Sequence, residues 1–348
     1  KKIGGRFTAF SLVPHALNFI ILSYYAVITG WTLSYFAYSV FGGVAPLETL
    51  SQKPEFAIPA LLTLALVAVI LRSGIKDGVE KSNRILMPVF FAVLLIMLAY
   101  SFTLPGFGKA LTFLTNFGEI KTSTMAAAVT QTLFSLSVGV GIMLTYAAYL
   151  KKREGIFKYA GVIAVADTAV ALLAGLVVFP IVFTYNLEPS QGPTLAFDSL
   201  PLAFSQMPLG GIIMPLFFFL LFSVAITSVI SMGEVAVAEL SPKFGRKAGA
   251  GLVVLAIGIA SIPSLLSYSP ANLKLAGIPV LDFLDGIIVS KFYPLVALVL
   301  VLVLGWAWKG FEEESKKILP KCLLSSYVLL VRFFIPAALG LLFISSFA

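Results

Sequence analysis

Charge is scarce in this sequence: 11% of its 348 residues are Asp, Glu, Lys or Arg. Soluble domains carry about 25%, so an ordinary soluble globular domain is excluded. Histidine and cysteine are scarcer still, with one of each, His15 and Cys322. A single cysteine excludes an intrachain disulfide. A single histidine excludes the His-rich clusters of zinc and non-haem iron centres. No nucleophile–base pair stands out either, so the sequence does not read as an enzyme. Cys322 reads as a small interfacial hydrophobe. His15 reads as a structural or interfacial residue at the mouth of the first apolar run. No secretory signal opens the chain. Its first residues, Lys-Lys-Ile-Gly-Gly-Arg, read as an internal cytoplasmic loop.

Apolar residues are abundant, at 59%. They fall in runs of about 20, the length that crosses a bilayer as a helix; a membrane barrel would show short alternating segments instead. The expected fold is all-α and polytopic, a single domain over 1–348. Nine spans are expected at 16–43, 56–72, 84–104, 124–150, 156–185, 210–240, 248–267, 280–308 and 323–347.

The net charge of +8 could suggest a nucleic-acid partner. Its distribution argues otherwise. Of 24 Lys and Arg, eighteen fall in one set of alternate loops and four (Lys53, Lys109, Lys121, Lys274) in the other. That asymmetry is the positive-inside bias, and it places residue 1 in the cytoplasm of a multi-pass plasma-membrane protein. The lipid bilayer is the expected partner, with no nucleic acid. Oligomeric state leaves no mark in the sequence.

Polar residues at mid-span are the candidate functional groups. Residues 131–146 read Gln-Thr-Leu-Phe-Ser-Leu-Ser-Val-Gly-Val-Gly-Ile-Met-Leu-Thr-Tyr. The Ser-x-Ser-x-Gly-x-Gly core predicts a helix that breaks at mid-depth, a device by which transporters expose carbonyls and half-helix ends to ions and solutes. Asp167 lies mid-span, where a carboxylate coordinates a cation, takes a proton or makes a structural hydrogen bond. Thr227 and Ser228 either bond back to the preceding turn or serve as hard oxygen ligands. Glu234, further along, reads as a structural carboxyl or a proton site. Of the Tyr24-Tyr25 pair, one is expected to pack and the other to face a polar cavity. Asp282 and Asp285 open the eighth span, Asp282 as a cap and Asp285 one turn deeper. The segment 186–209 is punctuated by Pro189, Pro193 and Pro201. Its Leu195, Phe197, Leu200, Leu202 and Phe204 are too apolar for a free loop, and a helical hairpin that dips back as a lid is expected.

Five elements together resemble the neurotransmitter:sodium symporter family, whose prokaryotic members carry amino acids. They are Tyr24-Tyr25-x-x-Ile28-x-x-Trp31, the 131–146 stretch, Asp167-Thr168, Thr227-Ser228 followed by Glu234, and Leu-Asp-x-Leu-Asp at 281–285. The resemblance implies a LeuT-like inverted-repeat fold whose third to eleventh helices are these nine spans. Residues 1–123 would be the remainder of the first repeat, 124–308 the second repeat, and 309–348 a linker and last helix. It implies that the family's first two helices are absent from the sequence as given, either because the copy is incomplete or because the product is degenerate. Incompleteness is favoured, because the ion-site residues that are present look intact.

Carried over by position, Tyr25 would bind the substrate carboxylate. Ile21, Ile28, Phe134, Ser135, Ser137, Val140, Ser228 and Met232 would line the substrate pocket. Ser135 and Asp167 would bind a first Na⁺, and Val224 (by its carbonyl), Thr227 and Ser228 a second. Phe134, Gln131, Asp285 and Tyr149 would belong to the gates. Val140 stands where an aromatic is common, which enlarges the pocket. Ala171 leaves Cl⁻ use open. The implied function is Na⁺-coupled symport of a neutral, hydrophobic or aromatic amino acid, with one or two Na⁺. The alternatives are proton coupling through Asp167 and Glu234, or a non-transporting ligand-binding remnant.

Overall fold

The computed structural model describes residues 8–116, 118, 121–149, 155–189 and 195–345. The basic residues Lys1, Lys2, Arg6, Lys151, Lys152 and Arg153, which weigh in the charge bias, lie outside the described residues, as does Pro193. In chain order the helices are α1 (Thr8–Val40), α2 (Leu47–Leu50), α3 (Ile58–Gly74), α4 (Lys81–Ser101), α5 (Phe107–Thr115), α6 (Thr122–Ser135), α7 (Ile142–Tyr149) and α8 (Ile156–Thr184). After them come α9 (Leu200–Gln206), α10 (Gly210–Phe244), α11 (Arg246–Ser267), α12 (Val280–Phe283), α13 (Ser290–Leu302), α14 (Phe311–Lys316), α15 (Lys321–Leu329) and α16 (Ile335–Ser345). A two-stranded antiparallel hairpin, β1 (Lys274–Leu275) and β2 (Ile278–Pro279), follows α11.

Seven continuous helical stretches among the described residues are long and apolar enough to cross a membrane, against nine expected spans. Two physical causes account for the difference. Glu55–Ser101 runs as one stretch of 47 residues, about 70 Å at 1.5 Å per residue, more than twice the hydrocarbon thickness. Gly74, at φ 94°, interrupts it, and a wide helical turn over Ile75–Glu80 leads into α4. It therefore holds both expected spans, 56–72 and 84–104. The expected span 124–150 is divided into α6, of 14 residues, and α7, of 8, each too short to cross alone.

The chain forms two compact units. One gathers residues 22–118 and 169–281. In it α1 and α3 cross so closely that a Cβ on Gly30 would lie 2.6 Å from the Ala60 Cα. Small residues at such crossings are how membrane helices gain dispersion contact without a hydrophobic driving force. Its core is aromatic. Tyr35 stacks on Phe218 at 4.7 Å, and Phe197 lies 5.3 Å from Tyr35 and 5.9 Å from Trp31. Phe197 belongs to the 186–209 segment, so the apolar residues there do turn inward: Phe197, Leu200 and Phe204 are buried. Leu202 points outward, and the described part of the segment from Leu195 is helical, a wide turn over Leu195–Ser199 continuing into α9. Pro201 is the second residue of α9.

The other unit gathers residues 1–21, 119–168 and 282–348. Here α13 packs on α16 and on α6. The charged linker expected at 309–321 holds α14, whose Phe311 is buried and stacks on Tyr327 at 5.9 Å. Arg332, a charge inside the last span, pairs with Glu312 at 2.7 Å and donates to the Gly305 carbonyl at 2.7 Å.

Candidate substrate and sodium site

The break in the sixth span falls inside the Ser-x-Ser-x-Gly-x-Gly core. After α6 ends at Ser135, the ladder closes with Ser137 N–H to the Phe134 carbonyl and Val138 N–H to the Leu133 carbonyl. Ser137 (φ 53°), Gly139 (φ 107°) and Gly141 (φ 83°) then take left-handed conformations, and α7 restarts at Ile142. Glycine enters this region at little steric cost, whereas an L side chain is strained there. At Gly139 the demand is conformational: a Cβ would sit 3.6 Å from Ala297, an ordinary contact. The carbonyls of Leu136–Val140 and the N–H groups of Gly139–Gly141 thus lie outside the helical ladder, and Gly139, Val140 and Gly141 are buried.

Tyr293 of α13 holds the broken end. Its hydroxyl donates to the Leu133 carbonyl at 3.1 Å, and its ring lies 5.7 Å from that of Phe134. Sequence pattern did not single out Tyr293, although a tyrosine hydroxyl in mid-span is the signal that marks Tyr24 and Tyr25. Ser135, the last residue of α6, donates from Oγ to Asp167 Oδ1 at 2.5 Å. The two proposed ligands of a first cation site therefore meet, from α6 and α8. The three further gate residues stand on three different elements. Gln131 is on α6, Asp285 on the wide turn Leu284–Val289 and Tyr149 at the end of α7, all exposed.

In the other unit, α10 presents Val224, Thr227 and Ser228 together. The Val224 carbonyl accepts from Thr227 Oγ1 at 2.8 Å and from Ser228 Oγ at 3.3 Å. This is the back-bonded arrangement, the bland alternative for hydroxyls inside a helix. It also orients them: each hydroxyl gives its proton to the carbonyl and turns its lone pairs outward. The Ser228 side chain neighbours the hydroxyl of Tyr25 on α1. Of the tyrosine pair, Tyr24 is buried and Tyr25 half-buried. Ile28 is half-buried on α1, and Met232 is buried one turn beyond Ser228. Ile21, on α1, and Val140 are buried in the unit that holds Ser135 and Asp167.

Glu234 has a defined structural role. It is fully buried, and Arg246 of α11 meets it with two parallel bonds, Nη1–Oε1 at 2.9 Å and Nη2–Oε2 at 2.6 Å. Arg246 Nε also donates to the Leu71 carbonyl at 3.0 Å. Such a fork compensates a buried carboxylate and ties α10, α11 and α3 together.

A polytopic helical protein with a helix broken at mid-span, and a hydroxyl–carboxylate pair at the break, is a secondary transporter in architecture. The chain belongs to the sodium:neurotransmitter symporter family, whose model matches residues 45–348. It is a sodium-dependent membrane transporter, not an enzyme. It is 30% identical to the uncharacterised sodium-dependent transporter YhdH of Bacillus subtilis, over 95% of this chain and 77% of the relative. A sodium-dependent transporter of Haemophilus influenzae is 31% identical over 94% and 76%. Among solved structures, the crystal structure of MhsT in complex with L-phenylalanine superposes with a TM-score of 0.86 at 32% identity. That match covers 99% of this chain and 82% of MhsT.

Proposed function

We propose that the protein is a sodium-coupled symporter of a neutral, hydrophobic or aromatic amino acid, acting in the plasma membrane with residue 1 on the cytoplasmic side. The observation that carries this reading is the Ser135–Asp167 pair at the end of the broken helix. Na⁺ is a hard cation and favours oxygen ligands. Asp167 Oδ1 accepts the Ser135 proton, which leaves Oδ2 and the Ser135 lone pairs for the ion. Val224, Thr227 and Ser228 form a second oxygen group of the same kind.

Tyr25 would present its hydroxyl to the substrate carboxylate, and Ser228 would serve both sodium and substrate. Ile21, Ile28, Phe134, Ser137, Val140 and Met232 would surround the substrate side chain. MhsT was crystallised with an aromatic amino acid, L-phenylalanine, in keeping with this mainly apolar lining. Gln131, Phe134 and Asp285 would close the external side and Tyr149 the cytoplasmic side. Residues 124–308 would act as one inverted repeat and 1–123 as part of the other. The bidentate pairing of Glu234 with Arg246 removes one of the two carboxyls on which proton coupling would rest.

The test is equilibrium binding of labelled neutral amino acids to the full-length protein in Na⁺ and in K⁺. A saturable component that requires Na⁺ is expected, and Asp167→Ala and Thr227→Ala should each weaken the Na⁺ affinity of that component by at least about tenfold. Equal binding in K⁺ would overturn the reading.

A further inference from the structure

Outside the proposed transport site, a half-open cleft is lined by charged side chains of both signs. Its volume is about 500 Å³, and it lies wholly within the unit formed by 22–118 and 169–281. Small-molecule sites have volumes of about 300–1,000 Å³. Four elements line it: α2 with Glu48 and the adjoining Gln52, the wide turn with Asp198, the end of α11 with Ser267 and Tyr268, and the hairpin region with Asn272 and Lys274. These belong to the loop set that is poor in Lys and Arg, hence external by the charge bias.

The charges in this cavity are not spent on one another. Asp198 Oδ1 accepts the Leu47 N–H at 2.8 Å, leaving its second oxygen without a recorded partner. Glu48 lies close enough to repel Asp198, and neither it nor Lys274 enters an ion pair among the described residues. Two carboxylates and an ammonium that face one cavity without pairing are complementary to a molecule carrying both signs. Tyr268 supplies an aromatic wall, itself edge-on to Trp31 at 5.1 Å.

We propose that this cavity is a peripheral site for a zwitterionic amino compound, its ammonium held by Asp198 and Glu48 and its carboxylate by Lys274. The ligand class is that of the proposed substrate, so this step rests on that reading for the identity of its ligand but not for its ions. Charge complementarity alone holds the ligand, so binding needs no sodium.

The experiment measures binding of L-phenylalanine, 2-phenylethylamine and 3-phenylpropionate to the full-length protein in K⁺ buffer, with Asp198→Asn and Lys274→Met variants. Each lost charge-assisted contact is worth about 1.5–3 kcal/mol, and 1.4 kcal/mol is tenfold in affinity. A sodium-independent phenylalanine site is expected, weakened about tenfold or more by either variant. The amine and the acid, each lacking one charge, should bind correspondingly weaker. The amide introduced by Asp198→Asn keeps an acceptor oxygen for the Leu47 N–H, so a fold defect would not mimic the effect. No binding in K⁺, or binding that neither variant changes, would overturn the proposal. Failure of the transport reading is distinct: it removes the sodium-dependent component and leaves this one.

Discussion

Asp198 shows how one residue can couple environment to structure. Burial pushes its carboxyl above the ordinary carboxylate range, Glu48 adds to the rise, and the Leu47 N–H opposes it. A raised pKa in the folded state means that the proton binds the folded state more tightly than the unfolded chain. Its contribution to stability is therefore fully present below the ordinary carboxylate pKa of about 3.9 and is lost as pH rises through the raised value. The thermal midpoint of the native protein minus that of Asp198→Asn should fall as pH rises across this window. A difference that does not vary with pH would contradict the assignment. Asp167 and Glu234 illustrate the opposite lesson. Both are carboxyls in apolar spans, yet Asp167 meets a hydroxyl and Glu234 a guanidinium. Sequence could mark each as costly in a membrane. The family resemblance already set Ser135 beside Asp167, whereas nothing in the sequence supplied Arg246, which comes from another helix.

At the scale of the element, the sixth span carries the account. Its break depends on glycines in left-handed conformations, so Gly139→Ala should cost about 1–2 kcal/mol. Gly161→Ala, in a helix with open space around it, should stabilise by about 0.5–1 kcal/mol. Denaturation midpoints in matched detergent check the pair, and equal effects would contradict the strained conformation at 139. The break was legible in the sequence, because two hydroxyls and two glycines in an apolar run have few other uses. The inward turn of 186–209 was legible from its apolar content, but its form was not: Pro201 reads as a turn signal and is in fact at a helix start. The joining of two spans across Gly74 was not legible either, since a wide helical turn has no strong residue signature. Tyr293 could have been found, because its hydroxyl too needs a partner in mid-span.

For the whole molecule, orientation and coupling are the quantities at stake. Cys322, the one cysteine, is exposed at the start of α15. The charge bias puts it on the cytoplasmic side. A membrane-impermeant maleimide should label inside-out vesicles and spare intact cells, and labelling of intact cells would invert the topology. Each compact unit carries its own oxygen group: Ser135 and Asp167 in one, Val224, Thr227 and Ser228 in the other.

The central claim is that a sodium gradient drives amino acid uptake. The most direct measurement is uptake of a labelled neutral amino acid into proteoliposomes holding the full-length protein, with an inward sodium gradient and equal pH on both sides. The account predicts concentrative uptake that collapses when the sodium gradient is dissipated and is abolished by Asp167→Ala. Uptake that persists without sodium and follows an imposed pH gradient would contradict it.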